Sequence, residues 1–158
     1  MADTRKVVVS STSLDLPEHR QAALNACLAQ GMLPLMMEHL PASSNDAIQA
    51  SMALVDRADI YVGILADRYG YVPPGHSQSL TEMEYQRAVG RGIPCLFLMT
   101  SEDHPPLDHE EVAEDRRLAL QRLKTHVSRS HVVRFFDSAT HLRSALSESL
   151  TPFVVPVD

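Results

Sequence analysis

Short apolar runs recur along the chain and are separated by amphipathic or polar stretches. Five of them are predicted to be strands: KVVVSS (6–11), MLPLMM (32–37), IYVGILA (60–66), CLFLM (95–99) and HVVRFF (131–136). IYVGILA has the strongest strand character and is predicted to be the central strand. Pro34 indicates that the second strand lies at an edge, because proline cannot donate a hydrogen bond to the ladder.

Helical patterns fill the spaces between these runs, and one more follows the last run. They are predicted at about 15–30, 43–57, 80–90, 110–129 and 138–151. Asp15 is predicted to cap the first helix and Gly31 to end it. The second is capped by Ser43 or Ser44, and the last by Ser138.

Strands that alternate with helices predict a parallel sheet with helices on both faces. We therefore predict an α/β fold, a flavodoxin-like three-layer sandwich with a five-stranded parallel sheet in the order 2-1-3-4-5. The 158 residues fit one domain, residues 1–158. The tail PFVVPVD is either a boundary strand or the start of a linker, as in the N-terminal module of a longer protein.

Composition narrows the classes of partner. The formal net charge of −6 argues against nucleic acid as the main partner. No apolar run reaches the roughly 18 residues that cross a membrane, and no signal peptide is visible, so we expect a cytoplasmic protein without a membrane partner. Cys27 and Cys95 lack CxxC spacing, and the eight histidines show no HxxxH or HExxH pattern. We therefore expect reduced thiols and no metal site.

In such a sheet, ligands bind beyond the carboxyl ends of the strands, near the switch point between strands 1 and 3. The segment SSTSLD leaves strand 1 there. Its residues Ser10, Ser11, Thr12 and Asp15 could hold a phosphate with the free N–H groups of the following helix start. Ordinary capping and turn formation account for the same residues. The loop has no glycine, so it matches neither a P-loop nor the dinucleotide-binding fingerprint.

Two more loops are predicted to reach the same edge. Glu38, followed by His39, comes after strand 2 and either contacts a ligand or lies in an exposed loop. In DRYGY, Arg68 could pair with a phosphate, and Tyr69 and Tyr71 could stack on a base. The tyrosines could equally anchor the loop against the sheet, so both alternatives stay open.

The segment SLTEMEYQRAVGRGIP carries two carboxylates at a helix start. Glu82 and Glu84 lie about 200° apart around a helix, so they cannot both face one cleft. The apolar positions of the helix do not choose between them. Both could also be ordinary first-turn charges, which the helix dipole favours.

Three segments, VVVSSTSLDLPEHR, ADIYVGILADRYGYVP and SLTEMEYQRAVGRGIP, resemble an uncharacterised TIR-like domain family with VSST, DRYGY and TExEY motifs. That family is related to Toll/interleukin-1-receptor (TIR) domains and nucleoside 2-deoxyribosyltransferases. The similarity covers residues 6–99 well and the last third only in general pattern. In the superfamily a catalytic glutamate lies eight residues before a glycine turn, which implies Glu84, followed by Gly92. Thr81 matches a threonine of the transferases. Many TIR enzymes have a tryptophan before the glutamate; this chain has none, so Tyr69 or Tyr71 would stack instead.

The resemblance implies a TIR-like effector domain that cleaves the N-glycosidic bond of NAD or a related nucleotide, in the setting of bacterial antiphage defence. NAD would then be a substrate, with no cofactor, and self-association and further domains of a longer chain are expected partners. The main alternative is a non-catalytic module for self-association or for sensing a nucleotide signal. Deoxyribosyl transfer between bases is a weaker one.

Overall fold

A computed structural model describes residues 4–12, 16–37, 44–107 and 113–154. Within them, strands and helices alternate from the first strand to the last helix. The elements are β1 (Lys6–Ser11), α1 (Pro17–Ala29), β2 (Leu33–Leu35), α2 (Ser44–Arg57), β3 (Ile60–Leu65), α3 (Leu80–Arg91), β4 (Cys95–Thr100), α4 (Glu114–Ser130), β5 (Val133–Phe136) and α5 (Ala139–Leu150), with a 3₁₀ turn at Thr151–Phe153.

The five strands form one parallel sheet in the order β2-β1-β3-β4-β5. This confirms the predicted flavodoxin-like fold, the central position of β3 and the edge position of β2. Every residue of β3 is buried, because helices cover both faces of the sheet at its centre. Gly63 leaves room for the aromatic layer there, since a Cβ at this position would overlap the ring of Phe97 on β4.

The helices divide into two layers. Helices α1 and α5 share one core with the side chains of Val7 and Val9. On the other face Val8 packs in a second core with residues of α2, α3 and α4, including Tyr85 of α3. Successive residues of β1 therefore alternate between the layers, as the pleat of a strand requires. No helix in the described parts of the chain has both the length and the hydrophobicity to cross a bilayer.

Several element boundaries differ from the predictions. Strand β2 is three residues long, and Met32, predicted to begin it, closes the end of α1 by donating to the Cys27 carbonyl. His131 is the C-cap of α4, so β5 begins at Val133. Helix α1 begins at Pro17 with Leu16 at its N-cap, while the predicted cap, Asp15, lies outside the described residues.

The two cysteines lie in different elements of the fold. Cys27 lies in α1 and Cys95 in β4, and both are free thiols. Cys27 is buried, and burial raises the pKa of its thiol to about 12. Cys95 is half-buried, and burial raises its pKa to about 11. Neither sulfur is therefore an effective nucleophile near neutral pH, because the thiolate is the reactive form.

Candidate active site

The start of α3 fixes the directions of the two candidate carboxylates. Ser79 is its N-cap, and the Ser79 Oγ accepts a hydrogen bond of 3.1 Å from the N–H of Glu82. Such a cap sets where the helix begins and hence which side chains face the sheet. Glu84 faces the sheet and Glu82 faces away from it, in accordance with the angular separation between them.

Glu84 lies against the end of the first strand. Its side chain is only 8% exposed, and its Oε1 accepts a hydrogen bond of 3.2 Å from the Oγ of Ser10. Ser10 is itself buried at 1% exposure and pairs in register with Gly63 of the central strand. The structure thus brings together two predicted site residues at the carboxyl ends of β1 and β3.

The surroundings of Glu84 favour its neutral form. Burial raises the pKa of Glu84 to about 8, against the opposing effects of the Ser10 hydrogen bond and the positive charge of Arg20. Removing a carboxylate from water is costly unless enough donors or cations replace the lost hydration. Glu84 is therefore mostly protonated at pH 7 in the protein without ligand, and anything that brings positive charge to it will promote its ionisation.

Arg20, which was not among the predicted site residues, joins the ends of two strands. Its Nη1 donates to the carbonyl oxygen and the Oγ of Ser11, at 3.3 and 3.0 Å, and its Nη2 donates to the carbonyl oxygen of Met37 at 2.7 Å. Arginine in the first turns of a helix is unfavourable for the helix dipole. A basic residue this close to a helix start, as in DLPEHR, is the weak signal in the sequence that could have pointed to partners elsewhere.

The DRYGY loop meets the end of β1 and the start of α3 at Gly70. This glycine has φ of +99°, and a Cβ on it would lie 3.2 Å from Thr12 Cγ2 and 3.3 Å from Thr81 Oγ1. The left-handed conformation and the close approach both favour glycine. Thr12 and Thr81, which are far apart in sequence, therefore both lie close to the backbone at Gly70, on the side to which a Cβ would project.

Tyr69 and Glu82 hold this loop to α3. The Tyr69 hydroxyl donates a hydrogen bond of 2.5 Å to Glu82 Oε1, and Gln78 donates to Oε2 at 3.3 Å. Tyr69 is 3% exposed, which fits the anchoring alternative for its ring, whereas Tyr71 is 41% exposed. Burial, together with the bond to Glu82, raises the pKa of Tyr69 to about 12. Glu82 is consequently more than an exposed first-turn charge.

The structure says less about the surroundings of the remaining predicted site residues. Arg68 is half-buried next to Tyr69 in the loop after β3. Asp15 and Glu38 lie outside the described residues, as does His39. The structure therefore groups Ser10 with Glu84, Ser11 with Arg20, and Thr12 with Thr81.

Comparison with known proteins places the chain in a family. The profile of the family described as "Domain of unknown function (DUF4062)" matches residues 6–151. The chain belongs to the DUF4062 family. This confirms the prediction of membership in a family without an assigned function. No curated protein sequence matches the chain significantly.

Comparison of this DUF4062 domain with solved structures finds matches at low sequence identity. The Clostridium botulinum CMP N-glycosidase BcmB matches with a TM-score of 0.56 and 10% identity, over 92% of this chain and 100% of that one. A 2-desoxiribosyltransferase from Leishmania mexicana matches with a TM-score of 0.45 and 13% identity, over 81% and 99% of the two chains. The first likeness supports the doubly wound α/β fold described above.

A cavity of about 520 Å³ lies between α3 and α4 of the DUF4062 domain, on the side of α3 that carries Glu82. Its lining residues are Tyr69, Ser77, Gln78, Glu82, Tyr85, Gln86, Val89, Ala119, Arg122, Leu123 and His126. Glu84 is not among them. The Tyr85 hydroxyl lies 3.1 Å from His126 Nε2 and 2.8 Å from His131 Nε2. Sequence reasoning missed this cavity because α3 and α4 meet only through tertiary packing.

Proposed function

We propose that this domain hydrolyses the N-glycosidic bond of NAD or a related nucleotide, with Glu84 as the catalytic carboxylate. The observation that carries the proposal is the position of Glu84, buried at the carboxyl ends of β1 and β3 and hydrogen-bonded to Ser10. A side chain that is costly to bury, at the edge where open α/β sheets bind ligands, suits a functional role.

The proposed chemistry follows from charge. Breaking the bond between ribose C1′ and the base develops positive charge on the sugar, and a carboxylate held beside it stabilises or attacks that centre. Nicotinamide leaves a cationic ring as a neutral molecule, so its departure needs no proton donor. Water then completes the substitution at C1′ and releases a proton. The positive charge of the bound ring would promote ionisation of Glu84, whose pKa in the free protein is about 8.

The other predicted site residues are proposed to hold the substrate. Their hydroxyl, guanidinium, carboxyl and aromatic groups match the phosphate, ribose and base of a nucleotide. The approach of Thr12 and Thr81 to Gly70 supports their sharing one cleft. The proposed set is Ser10, Ser11, Thr12, Asp15, Glu38, Arg68, Tyr71 and Thr81, with Tyr69 holding the loop that carries Arg68 and Tyr71.

The Clostridium botulinum relative is named for cleavage of CMP, so this fold accommodates N-glycosidic bond cleavage in a nucleotide. A pyrimidine leaves as an anion unless it is protonated, and a protonated Glu84 could supply that proton. The two substrate classes therefore predict opposite pH dependence. Cleavage of NAD by the Glu84 carboxylate should accelerate as pH rises toward 8, whereas cleavage that needs the Glu84 acid should slow over the same range.

The test is to incubate the purified 158-residue chain with NAD, CMP or a deoxynucleoside, and to follow release of the free base by liquid chromatography. Each reaction is run with the protein dilute and with it clustered on beads, because the resemblance to TIR domains implies that activity could require self-association. A second base added to the deoxynucleoside reaction detects transfer. Base release from NAD supports the proposal, and release from none of the substrates in either state contradicts it.

A non-catalytic role is the second candidate, and the burial of Glu84 favours it. A carboxyl that is 8% exposed and neutral at pH 7 can contribute to packing without touching a ligand. In that case the domain would bind a nucleotide, or a second copy of itself, without releasing a base. Calorimetric titration with NAD separates catalysis from sensing, since binding without nicotinamide release in either state identifies a nucleotide-sensing module.

A further inference from the structure

Arg20 and Glu84 approach the end of β1 from opposite layers of the fold. Arg20 belongs to α1, which packs on one face of the sheet, and Glu84 belongs to α3 on the other face. Adjacent residues of a strand point to opposite faces. Ser10 accordingly meets Glu84, while Ser11 meets Arg20. The two ionisable groups are thus linked through consecutive residues where the strand ends.

The hydrogen bonds of Arg20 set its position. The guanidinium donates to two acceptors on Ser11 and to the carbonyl of Met37, which lies just beyond β2. One side chain therefore connects α1 with the carboxyl ends of two neighbouring strands. Lysine could not reproduce this arrangement, because its single nitrogen lacks the planar fork that reaches several acceptors at once.

Arg20 also acts on Glu84 through its charge. Among the described residues, Ser10 on β1 and Arg20 on α1 oppose the effect of burial on Glu84. Within the part of the chain that the structure describes, Tyr61 on β3 also interacts with Glu84; Tyr61 is fully buried, and burial holds its pKa well above the usual value. Tyr61 therefore stays neutral near pH 8 and leaves Arg20 as the cationic influence on Glu84 in this part of the chain.

We propose that Arg20 is a positioning residue for the reaction at Glu84, fixing the ends of β1 and β2 and supplying the positive charge that favours the Glu84 carboxylate. This inference rests on the proposed function, in which ionised Glu84 faces the sugar. Arg20 need not touch the substrate for this role.

The test measures the ionisation of Glu84 directly. Carbon-13 NMR of glutamate side-chain carboxyls, with Glu84 assigned by its loss in Glu84→Gln, gives the Glu84 titration in wild type, Arg20→Gln, Arg20→Met and Arg20→Lys. Arg20→Gln and Arg20→Met both remove the positive charge, and either one is sufficient for the test if the other fails to fold. Gln also keeps a hydrogen-bond donor at this position. Arg87→Met is the matched control, because Arg87 lies on the same helix as Glu84 but is exposed and pairs with Asp56.

We expect the neutral replacements to raise the Glu84 midpoint by about one pH unit, the low end for loss of a nearby opposite charge. Arg20→Lys should stay closer to wild type, and Arg87→Met should match it. The pH–rate profile for nicotinamide release should move with the NMR midpoint. A midpoint unchanged in a folded neutral variant would overturn the inference, as would a change of equal size in Arg20→Lys and Arg20→Met. Absence of activity with the expected NMR change would instead count against the proposed function alone.

Discussion

Replacing Glu84 by glutamine should make the protein more stable and less active at the same time. Wild-type Glu84 has a pKa of about 8 when folded, against an ordinary value of 4.5. At pH 7 the unfolded chain therefore carries this carboxyl ionised, while the folded chain must keep it protonated. At about 1.4 kcal/mol for each pH unit above the ordinary value, this mismatch costs about 3 kcal/mol at pH 7. Glutamine keeps the shape and has no such cost.

The sign of the pH dependence follows from the raised pKa. A group whose pKa is raised by folding contributes its full stability below the unfolded value, and that contribution is lost as pH rises through the folded value. The wild type should thus lose stability between about pH 4.5 and 8, whereas Glu84→Gln should be flatter over that range. We expect a gain of about 1–3 kcal/mol at pH 7, since the amide must replace the carboxyl as the hydrogen-bond partner of Ser10.

Urea denaturation at pH 5, 7 and 8.5, followed by circular dichroism, measures the gain in the free energy of unfolding. Nicotinamide release at saturating NAD measures the loss of activity. Loss of one transition-state electrostatic contact should slow turnover about a hundredfold or more. Glu82→Gln is the comparison: it removes a helix-start charge and weakens the bond from Tyr69, so it should lower stability by about 1–2 kcal/mol and slow turnover far less than Glu84→Gln does. A Glu84→Gln protein less stable than wild type at pH 7 would refute the burial argument, and equal loss of activity in both variants would refute the choice of carboxylate.

Three further changes test the site and its surroundings. Ser10→Ala removes a donor to Glu84, so the pKa of Glu84 should rise further and the pH–rate profile for NAD should move to higher pH; an unchanged profile would contradict the role of this bond. Gly70→Ala should cost about 1–3 kcal/mol and exceed the cost of Gly75→Ala in urea denaturation, because both have positive φ but only Gly70 has close neighbours. Tyr85→Phe should cost about 1 kcal/mol in the same assay, because the two histidines on its hydroxyl lose a partner, and no loss would show that water replaces it.

The sequence alone determined the order of elements, because that information lies in neighbouring residues. The apolar runs located all five strands, and the character of IYVGILA placed β3 at the centre, where all of its residues are buried. The spacing of Glu82 and Glu84 required them to face different ways, as they do. Segments spread along the chain predicted a family without an assigned function, and the profile match confirms that much, while the TIR relation stays a prediction. The sequence predicted the lengths of the strands less well. The length of β2 is set by how far it pairs with β1 rather than by its own composition.

Only the tertiary structure decided what surrounds each candidate side chain. Ser10 and Glu84 are 74 residues apart, and their contact depends on β1 lying next to β3 and on which layer receives α3. The raised pKa of Glu84 follows from that burial, which no local pattern encodes. Arg20 reaches the site from the opposite layer, and Tyr69 turns to Glu82. Periodicity specifies which face of an element is apolar, but the ionisation of a side chain depends on the solvent and charges that packing leaves around it.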